Sequence, residues 1–189
     1  NQRWNTYVEG FYRHCIKPNM VHYERTSDGK FIYTQINQKE MDLLRLAGYV
    51  SYWILPEKLQ ASVYGGMQRC FNYGNDYSHF YTSWFYVGSV TAYLGNFTLH
   101  GYIDNGNRFL EGEKRGYNGA YSTIQASYQY KDWQFSLLWT NPFIKNYKSI
   151  EDEILNRDLH KLTTVYDRAS GNQVSISVSW RMSRGKKYV

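Results

Sequence analysis

Five histidines and two cysteines are the most reactive side chains of the sequence, and their spacing predicts no catalytic or metal centre. No two histidines have H-x-x-x-H spacing, and none combines with a cysteine in a zinc-type pattern. The chain also has no G-x-S-x-G elbow and no Walker-type glycine loop. We therefore expect a protein that is not an enzyme, with no catalytic, metal-binding or cofactor-binding residues and no cofactor. The residues considered are His14, His22, His79, His100, His160, Cys15 and Cys70.

A run of three acidic residues is the remaining candidate for ion binding. Glu151, Asp152 and Glu153 are consecutive, and Ca²⁺ favours clustered carboxylates, but consecutive acids on a long loop are usually solvated. The two cysteines are expected on strands separated by a third strand, about 9–10 Å apart, which exceeds disulfide reach. We therefore expect two free thiols and no metal.

The composition is rich in aromatic residues although the chain as a whole is polar. Aromatic residues make up 19%, yet the mean hydropathy is −0.64. A transmembrane β-barrel has this mixture, because only alternate strand residues meet lipid. The longest apolar stretch, 43–55, is too short for a spanning helix, which needs about 20 residues. The net charge of +6 comes without a nucleic-acid-binding module, so we expect no nucleic-acid partner.

Alternation of apolar and polar residues is the strongest local pattern. In the last segment, Val174, Ile176, Val178, Trp180 and Met182 alternate with Ser175, Ser177, Ser179, Arg181 and Ser183. Because successive strand side chains point to opposite faces, one face is apolar and the other polar and mostly small. The pattern recurs along the chain and predicts eight strands, at 4–16, 39–55, 58–73, 80–94, 96–105, 117–131, 133–142 and 171–184.

The predicted connections alternate between short and long. Those after the second, fourth and sixth strands have only one or two residues, whereas the others span 17–38, 74–79, 106–116 and 143–170. Outer-membrane barrels have tight periplasmic turns and long outer loops. We expect a hairpin from 21–25 and 31–36 in the first long loop, and a short helix at 149–155 in the last.

Aromatic residues are expected in two belts at the strand ends. The predicted periplasmic belt contains Tyr52, Trp53, Phe97, Tyr128, Tyr130 and Trp133, and the predicted outer belt contains Phe71, Tyr73, Phe80, Tyr117, Trp139 and Phe143.

The C-terminal sequence resembles the outer membrane protein β-barrel family, which comprises receptor-like proteins related to TonB-dependent receptors and common in Bacteroidota. The resemblance is carried by 166–181 and 184–188, with weaker likeness at Tyr12, Arg13, Lys17, Pro18, Asp28, Gly29 and Asn37. It implies a 22-stranded barrel of which residues 1–189 form about the last eight strands, together with a plug. It also implies TonB-dependent uptake of a nutrient or metal chelate.

These observations predict an all-β, antiparallel, up-and-down transmembrane barrel segment in the cell outer membrane, forming one domain over 1–189. The chain begins without a leader sequence, which we interpret as a chain cut from a longer protein. Its expected partners are outer-membrane lipid, the rest of the barrel and its plug, and the TonB system. The long loops 17–38 and 143–170 are expected to capture ligand, and Tyr147, Arg157, His160 and Tyr166 lie there, but the sequence nominates no ligand site. Two alternatives remain, a complete eight-stranded outer-membrane barrel with a structural or adhesive role and a soluble lipocalin-like barrel.

Overall fold

A computed structural model describes residues 3–182, which form fourteen strands and no helix. No helix that could cross a membrane is therefore present in residues 3–182. The strands, all antiparallel to their neighbours, are β1 (Trp4–Ile16), β2 (Asn19–Arg25), β3 (Phe31–Asn37), β4 (Glu40–Leu55), β5 (Leu59–Tyr73), β6 (Ser78–Leu94), β7 (Phe97–Asp104), β8 (Asn107–Glu111), β9 (Lys114–Asn118), β10 (Ser122–Tyr130), β11 (Trp133–Thr140), β12 (Tyr147–Leu155), β13 (His160–Asp167) and β14 (Gln173–Trp180).

Eight strands form one large sheet, in the order β1-β4-β5-β6-β7-β10-β11-β14. These are the eight strands that the alternating pattern predicts, and we call this sheet the wall. Strands β4, β5 and β6 have 16, 15 and 17 residues, whereas β7, β10, β11 and β14 have eight or nine. The wall is therefore tall on one side and short on the other.

The short connections are tight turns with left-handed residues. Glu57, Gly95 and Lys131 have φ values of 61°, 63° and 52° in the turns that follow β4, β6 and β10. A positive φ at a hairpin turn matches the right-handed twist of the flanking strands. All three turns lie at the same end of the wall, because each follows a strand that runs in the same direction.

At the other end, three of the four long connections have strands of their own. The first contains the predicted hairpin, β2–β3, and the third and fourth together form a second sheet in the order β13-β12-β9-β8. The expected helix at 149–155 is wrong, because these residues belong to β12, which pairs with β9 and β13. Tyr117 was also misplaced, since it lies on β9 and not at the start of a wall strand.

The wall is open. Within residues 3–182, β1 pairs only with β4 and β14 pairs only with β11, so the two edges do not meet. The structure thus confirms an all-β antiparallel fold with eight up-and-down strands, and in the described part of the chain these strands do not close into a barrel. The predicted residues beyond Met182, including 184–188, lie outside the described part of the chain.

Buried apolar residues are few and lie near the long connections. Met20, Val21 and Leu110 come from β2 and β8, and Ala47 and Cys70 come from the wall. The Cys70 thiol donates to the Leu110 carbonyl oxygen at 3.6 Å. The small core therefore joins the second sheet and the hairpin to the wall, and it does not extend along the wall.

Candidate functional site

The wall has one exposed apolar face and one polar face that is less exposed. On β6, Trp84 exposes 67% of its surface, whereas its neighbour Ser83 exposes 7%. The apolar residues continue from strand to strand, because Leu46 pairs with Met67 on β5 and Leu137 pairs with Ile176 on β14. We call this side the apolar face and the opposite side the polar face.

Aromatic pairs lie at both ends of the apolar face. At the end with the short turns, the Trp133 and Trp180 rings stack with centroids 5.6 Å apart, and Phe97 lies 5.5 Å from Tyr128. At the opposite end, Trp139 contacts Phe143 at 4.7 Å and Phe71 contacts Phe80 at 6.3 Å, so both predicted belts have aromatic pairs.

Trp53 belongs to neither belt on the apolar face. It is adjacent to Tyr52 and therefore points to the other side of the sheet, where its ring lies 6.1 Å from that of Tyr93. Trp53 therefore lies at the end of the wall with the short turns, where the belt was predicted, but its side chain points to the polar face because alternate strand residues point to opposite faces.

Hydroxyl groups on the polar face bond to one another across strands. Ser62 and Ser89 lie 2.8 Å apart between their Oγ atoms, and Ser127 and Ser136 lie 3.1 Å apart. These hydrogen bonds satisfy polar groups on a face that short side chains leave uncrowded. Three charged residues, Glu9, Arg13 and Arg45, also lie on this face, since each occupies the alternate set of positions in the strand register.

Glu113 connects the outer elements. Its side chain is almost fully buried, with Oε2 accepting from the Tyr23 backbone N–H at 2.8 Å and Oε1 accepting from Asn156 Nδ2 at 2.8 Å. The Glu113 Oε2 atom also lies 3.0 Å from His22 Nδ1, although that contact lacks hydrogen-bond geometry. Glu113 therefore links the β2–β3 hairpin, the β8–β9 turn and the segment after β12.

Gly112 allows this close approach. It has a φ of 60°, and a Cβ atom at this position would collide with the Val21 carbonyl oxygen. Glycine is the residue that adopts a positive φ without steric cost. The β8–β9 turn therefore rests directly on the backbone of β2.

A cavity of about 580 Å³ opens beside Glu113. Tyr77 and His79 lie in it with their rings stacked 4.9 Å apart, and the Tyr77 hydroxyl and His79 Nε2 are buried without a hydrogen-bond partner. Burial, followed by the charge of Glu113, raises the pKa of Tyr77, which makes this phenol still harder to ionise than an ordinary tyrosine. Further lining residues from the hairpin and from the segment after β12 are His22, Arg25, Phe31, Asn156 and Arg157.

The two loops expected to capture ligand contact each other at this cavity. Asn156 Nδ2 donates to the Tyr23 carbonyl oxygen at 3.0 Å, which joins loop 143–170 to loop 17–38. Of the four loop residues named from the sequence, Arg157 lines the cavity. Tyr147 is half-buried on β12, and Tyr166 and His160 lie on the exposed strand β13.

The three consecutive acids are paired with basic residues. Glu151 contacts Lys148 at 2.9 Å, Asp152 contacts Lys114 at 2.9 Å, and Glu153 contacts Arg115 and His160. The hydrogen bond from His160, helped by Arg115, lowers the pKa of Glu153 against the opposing effect of burial. Because alternate strand residues diverge, the carboxylates do not converge, and residues 3–182 contain no group of three metal-ligating side chains.

The two cysteines are free, as expected from the strand order. Cys15 lies on β1 and Cys70 on β5, with β4 between them.

Comparison of the chain with protein-family models, with curated proteins and with solved structures returned no match.

Proposed function

We propose that this chain is a wall segment of an outer-membrane β-barrel of the receptor or transporter type, with lipid on the apolar face. The observation that carries the proposal is the distribution of polarity and exposure over the two faces. Large apolar side chains are exposed along the wall, as in Trp84, Val63 and Ile176 at 67%, 54% and 77%. A water-soluble domain of this size would bury such residues in a core, whereas a bilayer covers them.

The open edges favour a larger barrel over a closed eight-stranded one. In a bilayer, unpaired backbone groups at a sheet edge cost several kcal/mol each, so β1 and β14 need further strands as partners. In this proposal those strands belong to the same barrel, its lumen holds a plug, and uptake of a nutrient or metal chelate depends on the TonB system. A catalytic step forms no part of the proposal.

The outer cavity is the proposed place of ligand capture. It lies at the long-connection end of the wall, which faces outward in this topology. Its stacked Tyr77 and His79 rings and their unpaired polar atoms fit a small polar ligand. A lipocalin-like barrel would instead bind its ligand against an apolar inner face. In this wall the less exposed face is the polar one.

Two adjacent leucines provide a matched test of the proposed lipid face. Leu137 lies on the apolar face and Leu138 on the polar face of β11, in register with Ile176 and Ser175. A nitroxide would be attached to the cysteine of the Leu137→Cys or the Leu138→Cys variant of the full-length protein, in which Cys15 and Cys70 are replaced by serine. In lipid vesicles, we expect relaxation by oxygen to dominate at Leu137→Cys and relaxation by a water-soluble nickel chelate to dominate at Leu138→Cys. Equal access of the nickel chelate to both sites, or a protein that is monodisperse in buffer without detergent, would contradict the proposal.

Thiol crosslinking would distinguish a larger barrel from a closed eight-stranded one. Val8 on β1 and Ile176 on β14 both lie on the apolar face near the middle of an edge strand. In the same serine background, we expect no crosslink between Val8→Cys and Ile176→Cys by a short bis-maleimide. An efficient intramolecular crosslink would support the closed alternative.

A further inference from the structure

A second cavity, of about 360 Å³, lies against the polar face of the wall. Its floor is formed by side chains of β4–β6, and its roof by the connection between β7 and β10, which contains β8 and β9. Three charged residues line it, namely Arg45, Arg108 and Asp104. The positions of these three residues indicate which ligand the cavity fits.

Arg45 is held in place with most of its donors unused. Its guanidinium carbon lies 4.3 Å from the centre of the Phe85 ring, and Nη2 donates to the Tyr64 hydroxyl at 2.8 Å. Its Nε is buried without a hydrogen-bond partner. A guanidinium has five N–H donors in a planar fork, so stacking on Phe85 fixes the plane while leaving donors free.

Within residues 3–182, the neighbouring acids form no ion pair with Arg45. The Tyr64 hydroxyl donates a hydrogen bond to Glu9 Oε1 at 2.6 Å, so a phenol group stands between this carboxylate and the guanidinium. Asp104 is occupied by other donors, since Oδ1 accepts from the Gly106 and Tyr121 backbone N–H groups and Oδ2 accepts from the Tyr102 hydroxyl.

Arg108 is the second cation of the cavity. Its guanidinium lies 4.6 Å from the centre of the Tyr117 ring, and Nη1 donates to the Asn105 carbonyl oxygen at 3.1 Å. Among the ion pairs of residues 3–182, none involves Arg45 or Arg108. The cavity is therefore lined by two guanidinium groups that form no ion pair among these residues, and its one carboxylate, Asp104, is engaged by other donors. Arg108 also borders a neighbouring cavity that contains Glu151 and Glu153.

We propose that this cavity binds an anionic group, a carboxylate or a phosphate, between Arg45 and Arg108. Partly buried cations require paired anions or hydrogen-bond acceptors, and an arginine fork matches both groups in a bidentate manner. The volume is at the lower end of the range for small-molecule sites, so it accommodates a small anion or the anionic end of a larger molecule. This inference deepens the proposed receptor role and rests on it in one respect, that the polar face lines the interior.

Calorimetric titration of the full-length protein in non-ionic detergent tests the proposal. The probes are inorganic phosphate and citrate, with glycerol as the neutral comparison. We expect binding of at least one anion, no binding of glycerol, and affinity that falls with added salt. Binding of citrate alone would assign a carboxylate, and binding of phosphate alone would assign a phosphate.

Arginine variants locate the binding. We expect R45Q and R108Q each to weaken anion binding about tenfold or more, because each removes charge-assisted hydrogen bonds. R69Q is the matched control, since Arg69 also stacks on aromatic rings, those of Phe71 and Phe80, but lies on the apolar face. R45K, which retains the charge, keeps the test available if R45Q does not fold.

Two results would overturn the inference: no binding of either anion, or equal binding by the wild type and the R45Q/R108Q double variant. The nitroxide test of the two leucines fails or succeeds separately from this one. Anion binding without lipid contact at Leu137 would refute the outer-membrane proposal and leave the anion site in place.

Discussion

Replacing Leu137 with arginine would place a charge near the centre of the proposed lipid-facing surface. Leu137 is 43% exposed and lies four residues beyond Trp133 on β11, which is about 13 Å along the strand. At a tilt of about 45°, this corresponds to about 9 Å of height within an apolar band about 25 Å tall. An arginine near the bilayer midplane costs about 2–4 kcal/mol. The ratio of folded to unfolded protein should then fall roughly 30- to 900-fold.

The free energy of unfolding would be measured by urea titration of the full-length protein in lipid vesicles, with tryptophan fluorescence as the readout. Leu138→Arg is the matched control, because the same substitution one residue away points to the polar face, between Gln125 and Ser175. We expect Leu138→Arg to cost about 1 kcal/mol, the loss of partial leucine packing. If Leu137→Arg changes stability by less than about 0.5 kcal/mol, as substitutions on a water-exposed surface usually do, or if Leu138→Arg costs more, the assignment of the faces is wrong.

Three further predictions concern the outer elements. Glu113→Ala should release the β2–β3 hairpin, because a buried N–H left without an acceptor costs about 1–3 kcal/mol; faster hydrogen exchange at the Tyr23 amide would show this, and unchanged exchange would contradict it. Gly112→Ala should cost about 1–3 kcal/mol through backbone strain and the collision with Val21, measured as faster proteolysis of the hairpin; wild-type resistance to the protease would contradict this. Because the folded-state pKa of Glu153 is lowered, its stabilisation of β12–β13 should be present above the ordinary glutamate pKa of about 4.3 and be lost as pH falls through the lowered value. Hydrogen exchange against pH should show this loss in the wild type and a flatter profile in Glu153→Gln, whereas identical profiles would refute it.

The wall strands could be predicted from the sequence because each one has its own alternation of apolar and polar residues. β1 was predicted at 4–16 and is observed at Trp4–Ile16, and the other wall strands differ by a few residues at their ends. The sixth differs most, beginning at Ser122 and not at 117. Residues 114–118 have strand character, but they pair with β8 across the turn that contains Gly112, which the pattern of a single segment does not reveal.

The segment 149–155 shows why the outer elements were harder to predict. Ile150 and Ile154 are four residues apart and flank three acids, a spacing that fits one face of a helix. The strand is selected by distant partners on β9, since Glu153 lies opposite Arg115 in the register and Asp152 forms an ion pair with Lys114. Contacts of this kind depend on tertiary structure, which overrides local preference.

The cavities were not predictable for the same reason. The contact between Asn156 and Tyr23 joins residues 133 positions apart, and Glu113 stands in the sequence as an ordinary acid next to a turn glycine. The loops at 17–38 and 143–170, both predicted to capture ligand, contact each other through Asn156 and Tyr23. The alternation of residues along β4 is consistent with Arg45 on the polar face, but no local pattern puts it beside Arg108.

The unequal strand lengths have a consequence for the outer rim. A tilted strand of about 9–11 residues crosses the hydrocarbon layer, so β4–β6, with 15–17 residues, would extend beyond it as paired backbone. β8 contacts both β5 and β6, which gives the turn at Glu113 a rigid support. A barrel built with this segment would have a taller wall on the side of β4–β6 than on the side of β7, β10, β11 and β14. Large molecules would then reach the opening of the barrel obliquely, across the shorter strands. The longer strands would keep their shape while the outer loops moved.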